Sequence, residues 1–275
     1  GPLVPVNVVA AAVAAGGTPA QKEDVLPGLL DGTEIAAWTG PGLMAAEPEG
    51  DGFRLSGTAS PVEAGAQACR LLVGARGPDG PVLALVSPRD PGVTVSPLGG
   101  LDLVRRFAEV RCDGVPVPVS AVVAGDPDAL ARLACVVQCA ETVGVMDRVF
   151  DMTLDWLADR WSFGRPLASY QALKHRVADG KLWLEASHAV ATAAARAVAT
   201  GADDGPELVS AAKAWIGRQA TDLIQDCIQL HGGIGVTWDH DLHLYLRRAT
   251  VNRLTYGTPD EHAERIAALA LGEAG

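Results

Sequence analysis

Three long runs with apolar residues at helical spacing dominate the chain from about residue 126 onward, and they limit the fold more than any other feature. In "CVVQCAETVGVMDRVFDMTLDWLADR", Val145, Val149, Met152 and Trp156 recur every three to four residues. In "YQALKHRVADGKLWLEASHAVATAAARAVAT" the stripe is Leu173, Val177 and Leu184, with Ser169 as the expected N-cap. In "GPELVSAAKAWIGRQATDLIQDCIQLHGG" it is Val209, Ala212, Ile216, Leu223, Cys227 and Leu230, opened by Pro206 and closed by Gly232–Gly233. Two shorter helices are expected around 239–250 and 259–272. Helices this long with small, Ala-rich faces pack as an antiparallel bundle.

Upstream the texture changes twice. Residues 1–40 are helical in composition: Thr18–Pro19 reads as an N-cap followed by Pro at the first helical position, and Asp31–Gly32 ends the segment. From 41 to 125 the short runs "GFRLSG", "CRLLVGAR", "PVLALVS" and "GVTVSPL" are rich in strand formers and punctuated by Gly, Pro and Asp. That is the texture of an antiparallel sheet, not of βαβ units. No GxGxxG or Walker loop follows any of these runs, which argues against a Rossmann or P-loop fold. The expected class is α+β, with domains at 1–40, 41–125 and 126–275.

Hydrophobic residues make up 48% of the chain, enough for a real core and too many for a disordered segment. A formal charge of −11 with no basic stripe argues against nucleic acid as a partner. The five cysteines, Cys69, Cys112, Cys135, Cys139 and Cys227, form no CxxC pair and read as free thiols of a reducing cytoplasm. "VVAAAVAA" is too short to span a membrane and lacks a basic leader, so neither signal peptide nor membrane span is expected. The spacing of His231, His240 and His243 fits no strong zinc motif and no carboxylate constellation accompanies it, so no metal is expected.

Polar residues gather at two helix ends. In "DRWSFGRPLASYQALKH", Arg160 ends one helix while Phe163–Gly164 and Pro166 make the turn. An arginine there either pairs with a phosphate or satisfies carbonyls at a helix C-terminus. In "QLHGGIGVTWDHDLHLYLRR", Gln229, Gly232, Gly233 and Gly235 form a helix end that a ligand can approach closely, although a C-cap explains the glycines as well.

Together, "RWSFGRPLASYQALKHRVAD" and, some sixty residues later, "CIQLHGGIGVTWDHDLHLYLRRA" resemble the acyl-CoA dehydrogenase family, and the helical–β–helical layout agrees. The resemblance is strongest over 126–275 and is closest in flavour to actinobacterial, steroid-degrading members. It implies FAD sites built by the bundle across a subunit interface. Arg160 would touch the FAD pyrophosphate of a neighbouring chain and Phe163 would pack on the same cofactor. Gln171 would lie near the adenosine half. Gln229, Gly232 and Gly233 would lie along the adenine-diphosphate part, and Thr258 would also meet FAD.

The departures from the family pattern are as informative. In the family a glutamate removes the α-proton of the acyl thioester while a hydride passes to the flavin. Its usual place, before Gly257–Thr258, holds Tyr256, so no catalytic residue is assigned. A tyrosine, with a free pKa near 10, is a poor base at neutral pH. The alternative family position falls at Ala134, and Glu141, two turns on, reads as structural. In "AAWTGPGLMAAEPEGDG" Thr39 and Gly40 survive from the flavin-ring loop, but its Ser-Asp pair does not, and the Trp of the next flavin-facing strand is absent. The N-terminal helices look truncated.

A chain that keeps the residues of the AMP end and lacks those of the flavin-ring end fits one subunit of a heteromer. The resemblance implies an α₂β₂ assembly, with a homologous full-length subunit supplying the glutamate, the flavin pocket and most of the acyl-CoA site. The alternatives are a self-sufficient dehydrogenase with a displaced base such as Glu141, and a flavin-free scaffold or acyl-CoA-binding protein.

Overall fold

Thr18 caps the second helix as its sequence position suggests: it accepts from the Gln21 N–H at 3.2 Å, and Gln21 reaches back to the Thr18 N–H. The computed structural model describes residues 2–272. It divides into two units, Gly1–Ala134 and Cys135–Gly275.

The first unit opens with helices α1 (Leu3–Gly16) and α2 (Pro19–Asp31), the latter stopped by Gly32 in the left-handed conformation. An eight-stranded sheet follows, made of β1 (Ala36–Trp38), β2 (Met44–Glu49), β3 (Gly52–Glu63), β4 (Arg70–Gly77), β5 (Gly80–Val86), β6 (Val93–Leu98), β7 (Phe107–Val117) and β8 (Val122–Val123). Its path is β6-β7-β3-β2-β4-β5-β8, with β1 also on β4. Leu55, Leu71, Val73, Val110 and Val115 fill the core of this unit and are fully buried.

Most pairings are antiparallel, as the texture of the sequence suggests, but β1 and β2 both run parallel to β4. They are two halves of one extended path: Ala36–Trp38 pairs with Arg70–Leu72, and Met44–Ala45 with Ala75–Arg76. The break between them is held by Thr39, whose buried hydroxyl accepts from the Gly74 N–H at 3.0 Å. A Cβ on Gly74 would stand 2.2 Å from the Gly40 carbonyl oxygen, so only glycine allows this approach. The surviving Thr39 and Gly40 thus have a structural task.

In the second unit the bundle is built by α3 (Pro127–Asp159), α4 (Gln171–Thr200), α5 (Gly205–His231), α6 (Leu242–Leu254) and α7 (Pro259–Leu271), with the unit boundary inside α3. All six residues of the stripe expected on α5 are buried. On α3 the buried face is rotated from the expected one. It runs through Cys139, Val143, Met146, Phe150 and Leu157, while Val145, Met152 and Trp156 are only partly buried. Thr142 and Thr153 share that face because each hydroxyl donates to the carbonyl four residues back, at 2.8 and 2.7 Å. By length and mean hydropathy, 1.4 over its most apolar window, α3 is also apolar enough to cross a membrane.

Ser169 is not the N-cap of α4. It ends a short 3₁₀ turn and donates to the Pro166 carbonyl at 2.7 Å, leaving Tyr170 as the flanking residue. Helix α6 starts at Leu242, later than the sequence suggests, because His240 Nδ1 accepts from the Leu242 N–H at 3.3 Å and ends the preceding turn.

Candidate functional site

The ends of α3 and α5 and the first turns of α4 enclose a groove of about 670 Å³. Arg160, Gln229, Gly232 and Gly233, four residues singled out in the sequence, line it together. Trp156, Ser162, Arg176 and His231, none of which the sequence marks as a ligand contact, line it too. At the end of α5, Gly232 has φ +67°, and a Cβ added to either Gly232 or Gly233 would meet no protein atom within 4 Å. This is open space beside bare backbone, the form of a surface that admits a ligand.

Arg160 is exposed but not adrift. Its N–H donates to the Trp156 carbonyl at 2.9 Å and its carbonyl accepts from the Leu167 N–H at 2.8 Å. The guanidinium stands 5.7 Å from the Trp156 ring centroid. The Trp156 indole in turn stacks on His231, centroids 5.3 Å apart and planes 16° apart. His231 Nδ1–H donates to the Cys227 carbonyl at 2.8 Å, which leaves Nε2 as the unprotonated nitrogen, buried and without a partner among the described residues.

Beyond Arg160 a two-stranded ribbon, β9 (Trp161–Ser162) and β10 (Arg165–Pro166), turns on Phe163–Gly164. Their φ values are +51° and +78°, the pattern of a type I′ turn, where asparagine is the usual first residue. Phe163 instead carries a phenyl ring that is 97% exposed. A left-handed, solvated phenylalanine contributes nothing to this chain's own core and costs on the order of 1 kcal/mol. Gln171, at the first turn of α4, is exposed and outside the groove. Thr258 is also outside it and heads α7 in a capping box with Glu261.

The family model for the acyl-CoA dehydrogenase C-terminal domain matches residues 131–271. The chain belongs to the acyl-CoA dehydrogenase family. Acyl-CoA dehydrogenase IpdE2 of Mycolicibacterium smegmatis is 37% identical over 177 residues, 64% of this chain and 52% of that protein. The chain thus aligns with about half the length of such curated relatives. A Tcur3481–Tcur3483 steroid ACAD variant superposes with a TM-score of 0.90 at 31% identity, covering all of this chain and 77% of that one. The ChsE4–ChsE5 complex of Mycobacterium tuberculosis gives a TM-score of 0.91 at 29% identity, covering 98% and 76%. The acyl-CoA dehydrogenase fold, with its helical bundle and sheet, is therefore the fold of this chain.

Against that family pattern, the loop before α7 departs most. Tyr256 and Gly257 both have positive φ, +60° and +95°. His262 Nε2–H donates to the Tyr256 carbonyl at 3.0 Å, and the Cys135 thiol lies 3.7 Å from the same oxygen. The Tyr256 ring packs on the bundle core. Ala134, the alternative base position, is wholly buried.

Glu141 is committed elsewhere. One carboxylate oxygen pairs with Arg248 at 2.7 Å, and the other accepts from Asn252 at 3.1 Å. Asn252 also donates to Thr142, and its carbonyl accepts from the buried Lys213, whose ammonium reaches Gln138 at 2.5 Å. This network ties α3, α5 and α6 together. Lys213 is the fully buried charge of this network, so removing a partner of its ammonium would leave that charge short of a hydrogen bond. These contacts fit a structural role for Glu141.

Among the described residues no cluster of His, Cys, Asp and Glu has the form of a metal site. Burial pushes the Cys139 thiol up to about 12 and the Cys227 thiol up to about 11, so neither is a nucleophile at neutral pH.

Burial also lowers the pKa values of His231 and His262 below the ordinary 6.5, against the raising effect of their carbonyl hydrogen bonds. Below pH 6.5 the unfolded chain takes up protons that the folded chain refuses, so stability falls as the pH drops from about 6.5 toward the lowered native values. Urea denaturation at pH 7.5, 6.5 and 5.5 checks this. The expected loss approaches about 1.4 kcal/mol per pH unit for each histidine wherever the protonation difference is complete. Equal stability at all three values would refute it.

Proposed function

We propose that this chain is the non-catalytic subunit of a heteromeric, FAD-dependent acyl-CoA dehydrogenase. It contributes the AMP-end half of a flavin site whose flavin-ring pocket, acyl-CoA pocket and catalytic glutamate belong to a homologous full-length partner, in an α₂β₂ assembly. The carrying observation is an asymmetry. A groove lined by Arg160, Gln229, Gly232 and Gly233 is intact, while the position before Gly257–Thr258 holds a tyrosine packed on the core.

The groove residues fit this end of the cofactor by their chemistry. Arg160 supplies a guanidinium for phosphate oxygens. Gly232 and Gly233 leave the space in which a nucleotide meets backbone. Phe163, Gln171 and Thr258 lie outside the groove and enter this reading as contacts completed when the partner is present. Bound FAD would supply hydride acceptance in the α,β-dehydrogenation of an acyl-CoA thioester. A relative named as a steroid ACAD supports a steroid-derived acyl group, and the ChsE4–ChsE5 complex supports a second subunit. A cytoplasmic location follows from the same reading.

Flavin absorbance and subunit stoichiometry test it, measured on this chain alone and after co-expression with a full-length relative encoded beside it. Flavin and acyl-CoA oxidation appearing only in the complex, at one FAD per heterodimer, is the expected result. A yellow, active homo-oligomer of this chain would sink the proposal.

A further inference from the structure

The groove reverses the sign of the chain. In a protein of formal charge −11, two guanidinium groups and no carboxylate stand among its lining residues. Arg160 comes from the end of α3, and the second, Arg176, comes from α4. Arg176 Nε donates to Asp226 Oδ1 at 3.0 Å, and Nη2 donates to the same oxygen. Asp226 belongs to α5 and lies outside the lining, with its side chain 28% exposed against 39% for Arg176.

A simple helix–helix ion pair would leave the guanidinium free to rotate. Here two nitrogens on one edge converge on one oxygen, which sets the plane of the fork. The Nη1 edge has no acceptor among the described residues. A planar, oriented guanidinium with a spare edge in a concave site is the arrangement that recognises phosphate oxygens. The end of α5 carries the negative pole of its helix, so an anion favours the arginine side and a hydroxyl-bearing sugar favours the Gly232 side.

We propose that Arg176 is the second anion-binding residue of this groove, oriented by Asp226, and that the pair Arg160–Arg176 selects a nucleoside diphosphate group over a monophosphate. This rests on the AMP-end reading of the groove and adds to it a residue and a selectivity.

Calorimetric titration of this chain with ADP and with AMP at low ionic strength tests the proposal. One added charge-assisted contact is expected to make ADP about tenfold tighter than AMP in the unaltered chain. Arg176→Gln is expected to erase that ratio while AMP affinity stays within about twofold. Arg176→Lys, which keeps the charge without the fork, should retain only part of it. A merely structural role would weaken both nucleotides together and leave the ratio unchanged. That outcome would overturn the role of Arg176 and leave the half-site reading standing. No saturable ADP binding to the unaltered chain would overturn the Arg160–Arg176 pair as an anion site, and the half-site reading would then stand or fall on the co-expression test alone.

Discussion

Replacing Arg160 with alanine is expected to weaken flavin retention by the assembled subunits about ten- to a hundredfold. A hydrogen bond to a charged group is worth about 1.5–3 kcal/mol, and every 1.4 kcal/mol is tenfold in affinity. The substitution is clean because the backbone at this position is pinned from both sides, by the Trp156 carbonyl and the Leu167 N–H. The guanidinium rests on an indole and joins no carboxylate in the ion pairs of the described residues, so its loss strands no charge. Stability should change by less than about 1 kcal/mol, as for surface substitutions in general. Arg165 supplies the control. It lies just across the same turn, 3.9 Å over the Tyr170 ring, and does not line the groove. Dialysis of the complex followed by flavin absorbance reads both variants. If Arg165→Ala releases flavin as readily as Arg160→Ala, the effect is one of overall charge and the groove assignment fails.

A large loss of stability is expected from Gly257→Ala. At φ +95° an L-residue is strained, and the added Cβ would stand 2.7 Å from His262 Nε2, the atom that holds the Tyr256 carbonyl. His262 is 2% exposed and has no room to retreat. Backbone strain of about 1–3 kcal/mol adds to the lost or distorted hydrogen bond, for a total of about 2–4 kcal/mol. For a unit of this size that corresponds to a fall in Tm of very roughly 5–15 °C. Gly201→Ala separates the two causes. Gly201 has φ +64° at the end of α4, with nothing within 4 Å of an added Cβ, so it reports strain without the clash. Thermal unfolding of the two variants should differ by more than about 1 kcal/mol. Equal losses would mean that His262 does not brace this loop.

The same loop bears on the missing base. Tyr256 is held by its carbonyl and by the packing of its ring, and Glu141 is tied to Arg248 and Asn252. Supplying a carboxylate here by Tyr256→Glu would move a charge toward an apolar core.

Much was legible in the sequence because it depends on neighbours along the chain. The cap of α2, the stop at Gly32 and the buried stripe of α5 follow from hydrogen-bond geometry and from 3.6-residue periodicity within one helix. The family resemblance carried by "RWSFGRP" and "QLHGGIG" is of the same kind, since each motif is a single helix end. Other features needed the third dimension. The rotation of the α3 stripe depends on threonines that hide their hydroxyls against their own helix, so composition understates how apolar that face is. The parallel strands arise because one path along β4 is interrupted and resumed, and no local propensity records a partner more than thirty residues away. Trp156, Arg176 and His231 converge from three helices, and only the way those helices pack brings them to one groove. Sequence by itself determined the element types, the cap of α2 and the motif-bearing ends. Tertiary structure alone decided which of those ends meet, because long-range packing sets the distances on which charge and hydrogen-bond complementarity depend.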